Sequence, residues 1–392
     1  MKKSTMLLLW IGASISISEV FTGGLLAPLG FKNGLITILI GHIIGTVLLA
    51  LGAYISFSRK INAMDSVAFS FGALGGKIVA ICNLVQLVGW IVILVVQAGS
   101  AINGVFPVLP FWSITLILSV FQILWAIIFG SPGGRINDIA VVLLAGICVL
   151  FFIEAAGYGS AAPVLHGTMS MVLGIELSIA MPVSWLPLVG DYASKADNKL
   201  CAVGMPFIGY FLGSCLMYSL GLFIAVTSGS DIFGFIASSK FRYAACAVIL
   251  LSTITTNFVA LYSAAVSSKQ LIKTKEDRLP IAIIGAFTLI AAVFFPVERF
   301  IVFIEHFLTS IGMVFVPVFM MVFLDYFFKR QKCTKGINWP LIIIAFAGMA
   351  ANKLFNQYEI GIPTVMGILL VSVLFITRNY ITKTWYGSKN NP

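Results

Sequence analysis

The chain has 392 residues, of which 60% are hydrophobic and 10% charged, with a mean hydropathy of +1.05. A soluble domain carries about a quarter charged residues, so this composition excludes a water-soluble enzyme. The 24 Lys and Arg against 14 Asp and Glu leave a net charge of +10, and the placement of those residues decides what the excess means.

A helical crossing of the hydrocarbon core takes ~20 apolar residues. Apolar runs fall at roughly 7–29, 34–57, 78–103, 111–130, 137–155, 168–190, 201–227, 243–266, 280–296, 300–328, 338–354 and 361–378. These predict an all-α polytopic membrane protein with 12 transmembrane helices, spans 1 to 12 below. Lys2 and Lys3 before an apolar run imitate a secretory leader, but the run is too long and passes Gly23 and Gly24 without a cleavage signal. If the amino terminus is cytoplasmic, all the basic residues but Lys32, Lys240, Arg242, Arg299 and Lys353 fall in inside segments. That is the positive-inside bias of short loops; it puts both termini in the cytoplasm and implies no nucleic-acid partner. The connectors, the longest around 155–168 and 227–242, are too short and too rich in Gly, Ser and Ala to fold alone. Residues 1–330 are expected to form the core, and 331–392 two further helices with a tail.

Polar and helix-breaking residues at membrane depth mark a cavity or pathway. Span 1 reads W-I-G-A-S-I-S-I-S-E-V-F-T-G-G from Trp10 to Gly24, and span 6 reads G-I-E-L-S-I-A-M-P-V-S-W-L-P-L-V-G-D from Gly174 to Asp191. Each opens a block of five spans, and the odd number inserts the second block upside down relative to the first. Paired interruptions of this kind point to a secondary transporter whose substrate sits at the midplane.

On span 3, Asn83, Gln86, Trp90 and Gln97 recur at i, i+3, i+7 and i+14 and share a face. An aromatic plate flanked by amides suits a flat heterocycle; interhelical hydrogen bonding is the competing reading. On span 8, Ser252, Thr255 and Thr256 place three hydroxyls on one face. Hydroxyls beside backbone carbonyls freed by a broken helix make a hard-oxygen site suited to Na⁺; bonding back to the i−4 carbonyl is the alternative. Glu19 and Glu176 are the costliest residues at this depth, and at least one is expected to meet substrate or a coupling proton, against a structural role near a helix end. Gly41 and Gly45 in span 2 read as close helix packing. The three histidines and six cysteines lack metal-site or disulfide spacing, so no cofactor is expected beyond a coupling Na⁺ or H⁺.

At these segments the chain resembles the nucleobase:cation symporter-1 family of purine, cytosine and hydantoin permeases. The likeness lies in the W-x5-S start of span 1 with Phe21–Gly24 after it, Ser70–Gly76, Val88–Trp90, Gly190–Tyr192, Thr255–Tyr262, and P-x7-D-Y-F from Pro317 to Phe327. Within the family, the run Met181–Leu188 is most similar to the branch thought to import hydroxymethylpyrimidine, a thiamine precursor. The resemblance implies a leucine-transporter-type 5+5 inverted repeat in which Trp90 stacks on the substrate. It implies a Na⁺ site from the carbonyls of Gly12 and Ile15 with Ser252, Thr255 and Thr256, and a pocket lined by Ser16 and Asn257. Where the hydantoin carrier has amides, this chain has Leu94 and Leu261, and the second aromatic plate shifts to Trp185. Gln86, Gln97 and Glu19 are then the residues that supply polar contacts. The expectation is a monomeric symporter of the bacterial cytoplasmic membrane importing a small planar pyrimidine, hydroxymethylpyrimidine before cytosine, with Na⁺ or H⁺. A different nucleobase or purine permease, an amino-acid carrier of the same architecture, and a channel are the competing readings.

Overall fold

The computed structural model describes residues 1–129, 135–158, 168–268, 278–328 and 336–388. Among the described residues, ten helical stretches are long and apolar enough to cross a membrane. The 12 expected spans are all present as helix. Two fall outside the length criterion because the first breaks early and the ninth has 16 residues.

Span 1 is two helices, α1 (Lys3–Ser14) and α2 (Ile17–Leu25), joined by extended backbone at Ile15 and Ser16. The cause is local. Ser16 caps α2 by accepting from the Glu19 amide at 3.3 Å, while the Ser14 hydroxyl turns back to the Ile11 carbonyl at 2.9 Å. Serines that bond nearby backbone compete with the helix ladder. Span 6 is α8 (Met171–Ser184) and α9 (Leu186–Ala193), and its break is softer, a kink at Trp185 with φ −90° and ψ −7°. Pro187 cannot donate to the Val183 carbonyl, and the Ser184 carbonyl is taken by the Gln86 side chain at 2.8 Å.

The other spans are α3 (Gly30–Arg59), α5 (Ala73–Val105), α6 (Phe111–Phe129), α7 (Arg135–Ala156), α10 (Met205–Ser228), α12 (Arg242–Ser268), α13 (Arg278–Val293), α14 (Phe300–Phe327), α15 (Trp339–Gln357) and α16 (Pro363–Ser388). Two short helices were not expected: α4 (Ala63–Phe71) between spans 2 and 3, and α11 (Ile232–Ser238) inside the 227–242 connector. Both start on side-chain caps, Asn62 accepting from the Asp65 amide and Asp231 from the Gly234 amide. Between α4 and α5, Gly72 sits at φ 83°, ψ 167°, a conformation open to glycine and little else. That is the structural content of the Ser70–Gly76 motif.

The packing is what two inverted five-span blocks require. Span 2 packs on span 6 and span 7 on span 1, pairings that exchange when the blocks are superposed. Spans 3 and 8, and spans 4 and 9, pair with each other and so map onto themselves. The short helices recur between spans 2 and 3 and between spans 7 and 8. Span 6 is central, with 83% of its most apolar window buried, against 33% for spans 4, 5, 11 and 12. Gly41 and Gly45 let the two central elements meet: a Cβ at Gly41 would fall on Ser178 and the Ile175 carbonyl, and one at Gly45 on Pro182 and the Ile179 carbonyl.

Cys82, Cys148, Cys201, Cys215 and Cys246 are free. Cys333 and His166 lie outside the described residues, as do Lys269, Lys273, Lys275, Lys329, Arg330, Lys332, Lys335 and Lys389 of the inside segments.

Candidate functional site

The break in span 1, the kink in span 6 and the middles of spans 3 and 8 border a cavity of about 540 Å³. Span 1 contributes Ala13, Ser16, Ser18 and Glu19; span 3 contributes Leu87, Trp90 and Leu94. Span 6 adds Met181, Ser184, Trp185 and Leu188, span 7 adds Tyr210, and span 8 adds Thr256 and Ala260. A second recess of about 380 Å³ shares Ala13, Trp185 and Thr256 with it and adds Gly12, Trp10 and Tyr192.

One wall is aromatic. Trp90 is held edge-on by Phe307 of span 10, with centroids 5.3 Å apart and planes at 84°. Across the kink, Trp185 meets Trp10 edge-to-face at 5.9 Å and Tyr210 at 6.4 Å. Such edge contacts fix a ring's plane and leave a face free to stack. Polar groups in the wall are few. The Ser18 hydroxyl and the Trp90 indole N–H are buried without a partner, and unsatisfied buried donors are expensive unless something binds them.

Glu19 is 2% exposed and its carboxyl is gripped from span 7. The Tyr210 hydroxyl donates to Oε1 at 2.7 Å and the Ser214 hydroxyl contacts Oε2 at 2.6 Å. The Ser16-x-x-Glu19 spacing is that of a capping box, but the carboxyl is drawn away to span 7 rather than back to its own helix. Glu176 is placed differently. It accepts from the Thr364 amide at 2.9 Å and the Thr364 hydroxyl at 2.7 Å, tying span 6 to the start of span 12 away from the cavity.

Of the seven residues expected to bind substrate, Ser16, Glu19, Trp90 and Trp185 line the cavity. The other three do not line it, and two of them are turned into helix contacts. Gln86 donates to Asn83 at 3.1 Å and to the Ser184 carbonyl. Asn257 donates to Gln122 of span 4 at 2.7 Å and to the Ile91 carbonyl of span 3 at 3.3 Å. Gln97 is fully buried with neither amide atom bonded. Asn83, which binds Ser267 at 2.9 Å, and Gln86 use the polar stripe of span 3 to hold spans 8 and 6.

Of the residues expected to hold an ion, Gly12 and Ile15 flank or lie in the span 1 break. Among the described residues, no backbone amide bonds the carbonyls of Gly12 and Ile15, because the residues that would donate lie in the break or across it. Gly12 and Thr256 both line the second recess. The Thr255 hydroxyl is turned back to the Ser252 carbonyl at 3.0 Å. Among the described residues, no three His, Cys, Asp or Glu gather as a metal site.

Tyr210, Ser214 and His42 were not anticipated at the site. Tyr210, Ser214 and Tyr218 recur at i, i+4 and i+8, a one-faced polar stripe in an apolar span that could have been found by the reasoning applied to span 3.

No family model matches the chain. Among curated proteins it is 22% identical to the cytosine permease of Escherichia coli (strain K12) over 398 residues, covering 95% of this chain and 89% of the permease. Among solved structures, the nucleobase-cation-symport-1 family transporter Mhp1, closed with bromovinylhydantoin bound, superposes at a TM-score of 0.76 with 16% identity, covering 97% of this chain and 92% of Mhp1. A Na⁺-coupled sialic acid symporter in an outward-open state gives 0.68 at 13% identity, covering 95% and 88%. The fold is therefore the leucine-transporter-type inverted repeat of a multi-pass membrane protein. The resemblance to the nucleobase:cation symporter-1 family carried by the span motifs is borne out along nearly the whole chain, in sequence by the cytosine permease and in architecture by Mhp1.

Proposed function

We propose that this protein is a cation-coupled symporter importing a small planar pyrimidine across the bacterial cytoplasmic membrane, hydroxymethylpyrimidine first and cytosine second. One observation carries the reading: a stacking plate at Trp90 and a carboxyl at Glu19 line the same cavity between two interrupted spans. A carboxylate accepts two parallel hydrogen bonds from an amino group and a neighbouring ring N–H, the edge that an aminopyrimidine protonated on its ring presents. Leu87, Leu94, Met181 and Leu188 supply the apolar remainder. The cytosine permease, similar over nearly the full length, supports the substrate class.

Coupling by Na⁺ would use the carbonyls of Gly12 and Ile15 with the hydroxyls of Ser252, Thr255 and Thr256. Thr256 borders both recesses, so an ion there would order the span 1 break that also shapes the substrate wall. By linkage, the ion and the pyrimidine then raise each other's affinity by the same factor. Spans 1, 2, 6 and 7 would rock against the remainder to alternate access, with both termini cytoplasmic and one chain sufficient.

The test is uptake of radiolabelled cytosine by proteoliposomes, with unlabelled hydroxymethylpyrimidine as competitor and Na⁺ and pH gradients imposed separately. Saturable uptake driven by one of the gradients, with hydroxymethylpyrimidine the stronger competitor, is expected. Non-saturating flux indifferent to both gradients would sink the reading.

A further inference from the structure

Behind the cavity, Glu19 is the end of a buried chain of short hydrogen bonds. Ser214 Oγ lies 2.6 Å from Glu19 Oε2 and 2.6 Å from His42 Nε2, and His42 Nδ1 lies 2.9 Å from the Ile38 carbonyl. His42, Ser214 and Glu19 are all 2% exposed or less and come from three different spans.

Counting hydrogens limits what this array can be. A carbonyl only accepts, so Nδ1 carries a hydrogen toward Ile38. The two short contacts at Ser214 Oγ need two hydrogens, and serine supplies one. The second must sit on His42 Nε2, giving imidazolium and carboxylate, or on Glu19, giving neutral imidazole and carboxylic acid. Both arrangements have no net charge and the same number of protons. They interconvert when the Ser214 hydroxyl hydrogen moves to one neighbour while the other neighbour's hydrogen moves to Ser214 Oγ. Removing that proton leaves two lone pairs facing each other at hydrogen-bond distance beside an uncompensated carboxylate, in surroundings where both are costly.

We propose that His42, Ser214 and Glu19 together form a single proton-binding site, and that this proton is the coupling ion delivered to the substrate cavity through Glu19. The second half rests on the symporter reading above. The other ionisable groups facing the array are Tyr210, Cys215 and Tyr218 of span 7; Tyr218 packs edge-on against the His42 ring at 4.7 Å. Acidic groups on the remaining neighbours are engaged elsewhere: Glu176 with Thr364, Asp191 with the Ala63 amide, Asp65 with Asn62, and Asp325 beside Arg59. Span 3 brings only Lys77 and Cys82, and α11 brings none. Glu154 of span 5 is engaged with Ser239, so among the described residues no second charge is at hand to neutralise Glu19, and a proton is what the array can exchange.

The site itself is read on ligand-free, full-length protein carrying ¹⁵N-labelled histidine, with H42Q and E19Q spectra assigning the signals. The His42 ring resonances and the Glu19 infrared carboxyl band are expected to change over one common pH interval in the wild type and to part company in S214A. Independent titration in the wild type, or a common titration that survives S214A, overturns the proposal. H42Q, which keeps a hydrogen-bonding side chain, provides a second variant, and there the Glu19 band should shift.

The coupling is read in proteoliposomes enclosing a pH-sensitive dye. Cytosine entry should acidify the lumen in the wild type, and S214A should lose about tenfold of the accumulation that a pH gradient drives, within the usual range of a coupling factor. Cytosine entry without proton entry overturns the coupling. If no cytosine enters at all, the permease reading fails, and the ligand-free titration alone decides whether the proton site exists.

Discussion

At the scale of single residues, Trp90 and Glu176 receive opposite assignments. Trp90 stands in the cavity wall with its ring plane set by Phe307 and its N–H unpartnered. W90A is expected to raise the KM for cytosine roughly tenfold, about 1.4 kcal/mol, while W90F recovers most of the loss because a phenyl ring keeps a stacking face. Uptake kinetics on the three proteins decide it. Glu176 is as buried as Glu19 but its two oxygens are spent on Thr364. E176A should leave KM near the wild-type value and lower stability by about 1–3 kcal/mol, the cost of orphaning a buried donor. E176Q should restore the thermal midpoint of the detergent-solubilised protein, since an amide can accept from the Thr364 N–H and donate to its hydroxyl oxygen. A large KM effect in E176Q would place Glu176 in the substrate path.

At the scale of elements, the decisive contact is span 2 against span 6, which holds the kinked helix beside the cavity. G41V would drive a branched side chain into Ser178 and the Ile175 carbonyl; overpacking of this kind costs about 1–3 kcal/mol, and uptake should fall with the thermal midpoint. G146A on span 5, where nothing lies within 4 Å of the added carbon, should change neither. Equal damage from the two substitutions would mean that the span 2 contact is not what positions span 6. That span 2 packs closely at Gly41 and Gly45, though not against which span, was legible in sequence, as were the two interrupted spans, because a G-x-x-x-G spacing and serines before an acid act within one helix. What faces a helix is not local. On the span 3 stripe, the partners of Asn83 and Gln86 lie 184 and 98 residues away. The His42–Ser214–Glu19 array joins residues up to 195 positions apart, and His42 was judged only for metal spacing. Nor did composition distinguish the break at Ile15, which is extended, from the kink at Trp185, which stays helical.

At the scale of the whole molecule, the repeat architecture and the charge distribution make one joint claim about orientation. The amino terminus pairs with Asp197 at 2.9 Å and donates to the Lys195 carbonyl at 2.6 Å. The chain end and the connector after span 6 therefore share a side, as an even number of crossings demands. In the proposed orientation, the one the positive-inside bias favours, that side is the cytoplasmic one. Val108, 92% exposed in the connector after span 3, then lies outside. In a background with the native cysteines replaced, V108C should react with a membrane-impermeant maleimide in intact cells, and D197C only after permeabilisation. D197C gives up an ion pair whose Asp197 side chain is 58% exposed, and exposed pairs contribute little, so the substitution reports location rather than collapse. Both sites labelling in intact cells would contradict the odd number of crossings, spans 4 to 6, that separates them, and with it the inverted relation of the two blocks. Labelling of D197C alone would keep the fold but reverse it in the membrane, while an inward ion gradient would still drive uptake, because the gradient and not the insertion sets the direction of symport.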